Sequence, residues 1–146
     1  MKTILKNGKN GNSNNKSIEE LHENSKTWLS EIDFISYEIQ FLKHLLGAKY
    51  IDCLDAGLHE RIKEFTKEIF EKKNDCISLK EKVLKHEVQI SKLIDRDDES
   101  KKNFLETHTN LALKINKFIS SYKYLKMQLF EILEDTLEKK RQKKLT

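Results

Sequence analysis

This sequence predicts an all-α fold, an antiparallel up-down-up bundle of three long helices with coiled-coil-like heptad packing. Three observations carry that expectation. The 146 residues include no proline and only four glycines, three of them at or before position 47, so little interrupts a helix beyond that point. Lys, Glu, Leu and Ile dominate the composition, a mixture that favours long amphipathic helices over strands. Apolar residues also recur in three separate runs at strictly alternating spacings of 3 and 4, the period of helices that cross at shallow angles.

Residues 1–16 are rich in Asn, Gly, Ser and Lys and read as a disordered, polar and basic tail, because nothing there offsets the entropy of ordering. Ser17-Ile18-Glu19-Glu20 has the form of a capping box, so a first helix is expected over about 17–49. Its row is Leu21, Ser25, Trp28, Ile32, Ile35, Ile39, Leu42 and Leu46. Gly47, preceded by Lys43 and His44, suits a helix C-terminus, with the turn somewhere in 48–56. The second helix, about 56–95, carries Leu58, Ile62, Phe65, Ile69, Lys72, Cys76, Leu79, Val83, His86, Ile90 and Leu93. The acidic stretch 95–100 is a turn, with Asp97 or Asp98 as the next N-cap. The third helix, about 98–140, carries Phe104, His108, Leu111, Ile115, Phe118, Tyr122, Leu125, Leu129, Ile132 and Thr136. The helical body is thus 17–138, and 139–146 is a basic end. Short connections make consecutive helices antiparallel neighbours.

Second apolar rows flank the first. Phe34, Phe41 and Leu45 lie beside the first row, Phe70, Ile77 and Leu84 beside the second, and Leu105, Ala112, Ile119 and Leu133 beside the third. Stripes this wide suit helices that touch two neighbours, so most of 28–46, WLSEIDFISYEIQFLKHLL, should be buried within its own chain. Phe130, Leu133 and Leu137 extend past the level at which the first helix ends. Any exposed remainder among Phe34, Phe41, Leu45, Phe130, Leu133 and Leu137 would be an interaction surface for a protein partner or a second copy.

The stretch Trp28-Leu29-Ser30-Glu31-Ile32-Asp33-Phe34, followed by Glu38-Ile39, resembles the start of small uncharacterised three-helix proteins of Bacteroidetes-type bacteria. Those proteins open with a short polar tail, then a Trp-x3-[Ile/Leu]-Asp-Phe helix, then two further long helices. The resemblance spans most of the chain in layout and rests on this one motif. It implies a helical bundle in a cytosolic bacterial setting and brings no activity with it.

Polar residues on the rows can point beyond packing. Lys72 is expected to lay its stem over the core with its ammonium in water, or to set register by pairing with a carboxylate such as Glu38. His86 and His108 should face each other, since antiparallel pairing about the second turn matches positions summing to about 194. The same rule at the first turn, with sums near 106, brings His22 close to that level. A layer of His22, His86 and His108 with nearby glutamates would be a candidate metal site, or a layer that repels itself once protonated near pH 6. Glu19-x-x-His22 stands alone, whereas di-iron bundles use two such pairs.

No catalytic or cofactor motif stands out. Cys76 has no base beside it, Ser120-Ser121-Tyr122 has no catalytic context, and no glycine-rich phosphate loop exists. Cys53 and Cys76 are too far apart along a helix for a disulfide. No apolar run approaches the ~20 residues of a membrane span, and MKTILKNGKN lacks the apolar stretch of a secretion signal, so a cytoplasmic setting is expected. The chain carries +4, with +4 on 1–16 and +4 on 138–146, which leaves 17–137 at −4. The basic end, Lys139, Lys140, Arg141, Lys143 and Lys144, complements a helix C-terminus, and its functional reading is weak attraction to nucleic acid or an anionic membrane, although the acidic body argues against a nucleic-acid groove and the tail lacks interleaved aromatics. The sequence therefore points to a non-enzymatic interaction or structural module without cofactors. Its alternatives are a metal- or pH-responsive bundle and weak nucleic-acid association.

Overall fold

The capping box closes as the sequence predicts. In the structure, a computed structural model that describes residues 17–145 apart from the side chain of Ile94, the Ser17 hydroxyl accepts from Glu20 N at 3.1 Å. In return, the Glu20 carboxylate accepts from Ser17 N at 2.9 Å. Two backbone donors that the first turn cannot satisfy are thereby paired. Ser17→Ala is expected to lower stability by about 1 kcal/mol, read as a shifted urea midpoint with an unchanged slope. The predicted tail over 1–16 lies outside the described residues.

Among the described residues all regular structure is helical, and four α-helices pack on one another. They are α1 (Ile18–Ala48), α2 (Tyr50–Asp55), α3 (His59–Ile90) and α4 (Asp98–Leu145), with a 3₁₀ turn at Leu93–Asp95 before α4. Asp97 caps α4, accepting from Ser100 N at 2.8 Å. The first turn differs from expectation. Gly47 does not end a helix by turning left-handed; α1 runs past it to Ala48, and α2 follows after Lys49 alone. The helix stop is Gly57, at φ 78°. Leu58 N donates to Cys53 O and Gly57 N to Leu54 O, both at 3.0 Å, the paired bonds of a Schellman motif that only a residue tolerant of positive φ closes cheaply.

Every member of the first apolar row is buried. The second row is buried except for Leu58 and Lys72, and the third except for Ile132. The second turn gives the expected register, His86 opposite His108. The first is displaced by two or three residues, with Cys76 opposite Ile32 and Glu87 opposite His22, because α2 takes up part of what was expected to be loop. That short helix also covers the end of α4. Cys53 is fully buried with its Sγ 4.0 Å from Thr136 Oγ1, and Lys140 reaches Asp52 at 3.4 Å.

The flanking rows correct the expectation that most of 28–46 is buried within its own chain, since there only the first row is buried. Leu105 is buried, and Ala112, Ile119 and Leu133 are partly buried, but Phe34, Phe41, Phe70, Ile77 and Leu84 are exposed. Long helices that meet around one axis bury one stripe each, and the flanks turn into outer grooves. No described helix is long and apolar enough to cross a membrane.

Candidate functional site

The core is interrupted at one level. A large apolar cluster runs from Trp28 to Leu129, and a small one holds Leu21, Ile90, Leu93, Phe104 and Leu105. Between them each long helix places a polar side chain on its row, Ser25 on α1, His86 on α3 and His108 on α4, all buried. His86 Nε2 lies 2.7 Å from His108 Nδ1, and Asn24 Nδ2 lies 3.0 Å from His108 Nε2. An amide nitrogen only donates, so His108 Nε2 accepts from Asn24. His108 Nδ1–H then donates to His86 Nε2, and His86 carries its own proton on Nδ1. Both rings are neutral in this chain. Aromatic rings wall it in: Trp28 is 4.8 Å from His108, and Phe104 stacks on His86 at 4.4 Å with only 5° between planes.

Burial holds the His86 pKa below its ordinary 6.5, and the neighbouring Glu87 carboxylate only partly opposes this. The direction agrees with the hydrogen bonds, since a proton added at His86 Nε2 would confront the His108 donor. His22 does not join the layer. Its Nδ1 pairs with Glu87 Oε2 at 2.6 Å on the outer side of α1 and α3, and Glu87 Oε1 and Ser25 Oγ are buried without a hydrogen-bond partner among the described residues. No group of three His, Cys, Asp or Glu stands together among the described residues. Of the expected His22, His86 and His108 set, the structure brings only the last two into contact, and it turns their nitrogens on each other.

A second polar cluster ties α1 to α4. Glu38 Oε1 accepts from Tyr122 Oη at 2.7 Å and from Lys126 Nζ at 2.8 Å. Burial alone would raise the Glu38 pKa, but the bonds from Lys126 and Tyr122 together outweigh it and hold the carboxyl below its ordinary 4.5. Burial and the adjacent Glu38 push the Tyr122 phenol up. Glu38 is therefore the partner of Lys126 and Tyr122. Lys72 instead sets its Nζ over the Phe118 ring, 5.9 Å from the centroid, and donates to Ser121 Oγ. Burial pushes the Cys76 thiol up to about 11, so it stays protonated at neutral pH and behaves as a packing residue.

The remaining candidates lie outside the core. Phe34, Phe41, Phe130 and Leu137 are 61%, 57%, 43% and 52% exposed, whereas Leu45 and Leu133 are partly buried. Phe34, Glu38, Phe41 and Leu45 follow one another at spacings of 4, 3 and 4, so the exposed apolar residues share the flank of α1 that Glu38 turns to α4. Lys126, Phe130, Leu133 and Leu137 repeat that spacing on α4, and the Glu38–Lys126 pair joins the two stripes. The basic end continues α4 as exposed helix, with Arg141 paired to Glu138 at 3.1 Å and Lys140 to Asp52.

Sequence reasoning missed Asn24 as the third member of the histidine chain, although it adjoins Ser25 and lies one turn before Trp28. Glu87 is one of the glutamates, with Glu19, Glu23 and Glu106, expected near the histidine layer, and the structure makes it the partner of His22. Compared with family models, with curated proteins and with solved structures, the chain matches none, so the meaning of these sites rests on their own geometry.

Proposed function

We propose that the protein is a non-enzymatic interaction module, an up-down-up bundle with coiled-coil-like packing whose α1–α4 groove is the contact surface for a second copy of the chain. The exposed Phe34, Phe41, Phe130 and Leu137 carry this reading. Exposed aromatic side chains aligned along one groove are the kind of patch that marks an interface. Charge favours a second copy as the occupant. Beyond Glu38 and Lys126, which pair within the chain, the α1 wall holds the exposed Glu31 and the α4 wall the exposed Lys123. A two-fold axis running along the groove sets each acidic wall against the partner's basic wall, and a self-complementary patch of this kind is what an isologous dimer needs.

Light scattering across a concentration series tests this. The mass should rise from 17.3 kDa toward twice that value. Phe41→Glu or Phe130→Glu should weaken the dimer by about 2 kcal/mol or more while leaving monomer stability within about 0.5 kcal/mol, because both sites are exposed. A single 17.3 kDa species at every concentration would refute self-association and leave the groove to a partner helix.

A second reading rests on the neutral His86–His108–Asn24 chain. Protonating it in acid breaks a buried contact between α1, α3 and α4, which would make the module pH-responsive.

A further inference from the structure

A cleft of about 790 Å³ opens beside the histidine chain, between the last turns of α3 and the first turns of α4. Its size falls within the roughly 300–1,000 Å³ typical of small-molecule sites. Among the described residues its charged lining is Lys82, Lys85, Arg96 and Lys114, with no carboxylate. That one-sidedness stands out in a body of net charge −4 over residues 17–137. The acids of the nearby turn do not line the cleft, and Asp97 is occupied in capping α4.

The lining also has a flat part. His86 and Phe104 both border the cleft and stack on each other at 4.4 Å. His86 Nε2 is taken by His108, which leaves Nδ1 as the ring nitrogen without a described hydrogen bond. At the turn end of the cleft, Arg96 donates to Gln89 Oε1 at 2.6 Å, which holds the guanidinium in place and leaves its other donors for a ligand.

From these features we infer that the α3–α4 cleft binds a small planar organic phosphate, with the ring against the His86–Phe104 edge and the phosphate among Lys82, Lys85, Arg96 and Lys114. A phosphate dianion answers several cations at once, while stacking and apolar contact supply what inorganic phosphate lacks. The site is separate from the α1–α4 groove, so neither proposal depends on the other.

Titrating the full chain with adenosine 5′-monophosphate, followed by calorimetry and by the ring resonances of His86 and Phe104, tests the inference. Saturable binding is expected. Adenosine and inorganic phosphate should each bind at least roughly tenfold more weakly, the loss of about one good interaction. Lys85→Glu/Lys114→Glu should weaken binding by roughly tenfold or more, whereas Lys139→Glu/Lys144→Glu, with the same change in net charge, should leave it nearly unaltered. Three results would overturn the inference: no saturation at millimolar nucleotide, equal binding of inorganic phosphate, or equal losses in the two double variants.

Discussion

His108→Ala is expected to destabilise the protein by about 2–4 kcal/mol at neutral pH. His108 is the hub of the buried chain, bonded to Asn24 on α1 and His86 on α3 and in ring contact with Trp28. Truncation leaves a cavity against Trp28 and strands the His86 acceptor and the Asn24 donor. His86→Leu/His108→Leu should behave differently, because it removes the bonded ring pair together, joins the two apolar clusters and leaves unpaired only the partly exposed Asn24 amide, which water can reach. Stability at neutral pH should then be retained or raised.

The same pair governs the response to mild acid. The pKa of His86 is lower in the folded protein than its ordinary 6.5, so the unfolded chain binds the proton first. The contribution of His86 is complete above pH 6.5 and is lost as the pH falls through that value toward the folded pKa. Urea unfolding of the parent chain should show this fall, and the double leucine variant should lack it. A parent chain as stable just below pH 6 as at pH 7.5 would remove the pH-responsive reading.

Tyr122→Ala should cost about 3–5 kcal/mol, the range for deleting a large buried aromatic side chain. Tyr122 is 1% exposed on the third apolar row, and its hydroxyl joins Lys126 on Glu38. Tyr122→Phe separates the two contributions. It keeps the ring and should cost only about 1–2 kcal/mol, since Glu38 retains Lys126. The acid response of this cluster lies lower than that of the histidines. A carboxyl held below its ordinary 4.5 stabilises the fold above that pH, and the contribution is lost as pH falls through the folded value. In Tyr122→Phe the Glu38 pKa should move back up, which a carbon-detected NMR titration of the Glu38 carboxyl would register. An unmoved value would mean that Lys126 alone holds it down.

Much of this molecule is legible in the order of its residues. Helix periodicity is a local property, so the rows that begin at Leu21, Leu58 and Phe104 mark the buried faces almost residue by residue. Ser17 and Glu20 announce the first helix because the bonds of a capping box span only three residues. His86 and His108 could be paired in advance because the 95–100 turn is short and leaves little freedom in register. The first turn was less legible. Both Gly47 and Gly57 can end a helix, and the left-handed stop falls at Gly57, where Leu58 and Cys53 close the second bond of the motif.

The sequence by itself therefore determined the helices, their buried rows and the level of the histidine pair, since each follows from 3.6-residue periodicity and short connections. Only the tertiary structure decided which flanks stay exposed, that Asn24 rather than His22 completes the histidine chain, that Glu38 takes Tyr122 and Lys126, and that four cations line one cleft. Those outcomes depend on register and on rotation of each helix about its own axis. A displacement of two or three residues at one turn, too small to disturb the apolar pattern, is enough to change every polar partner across the interface.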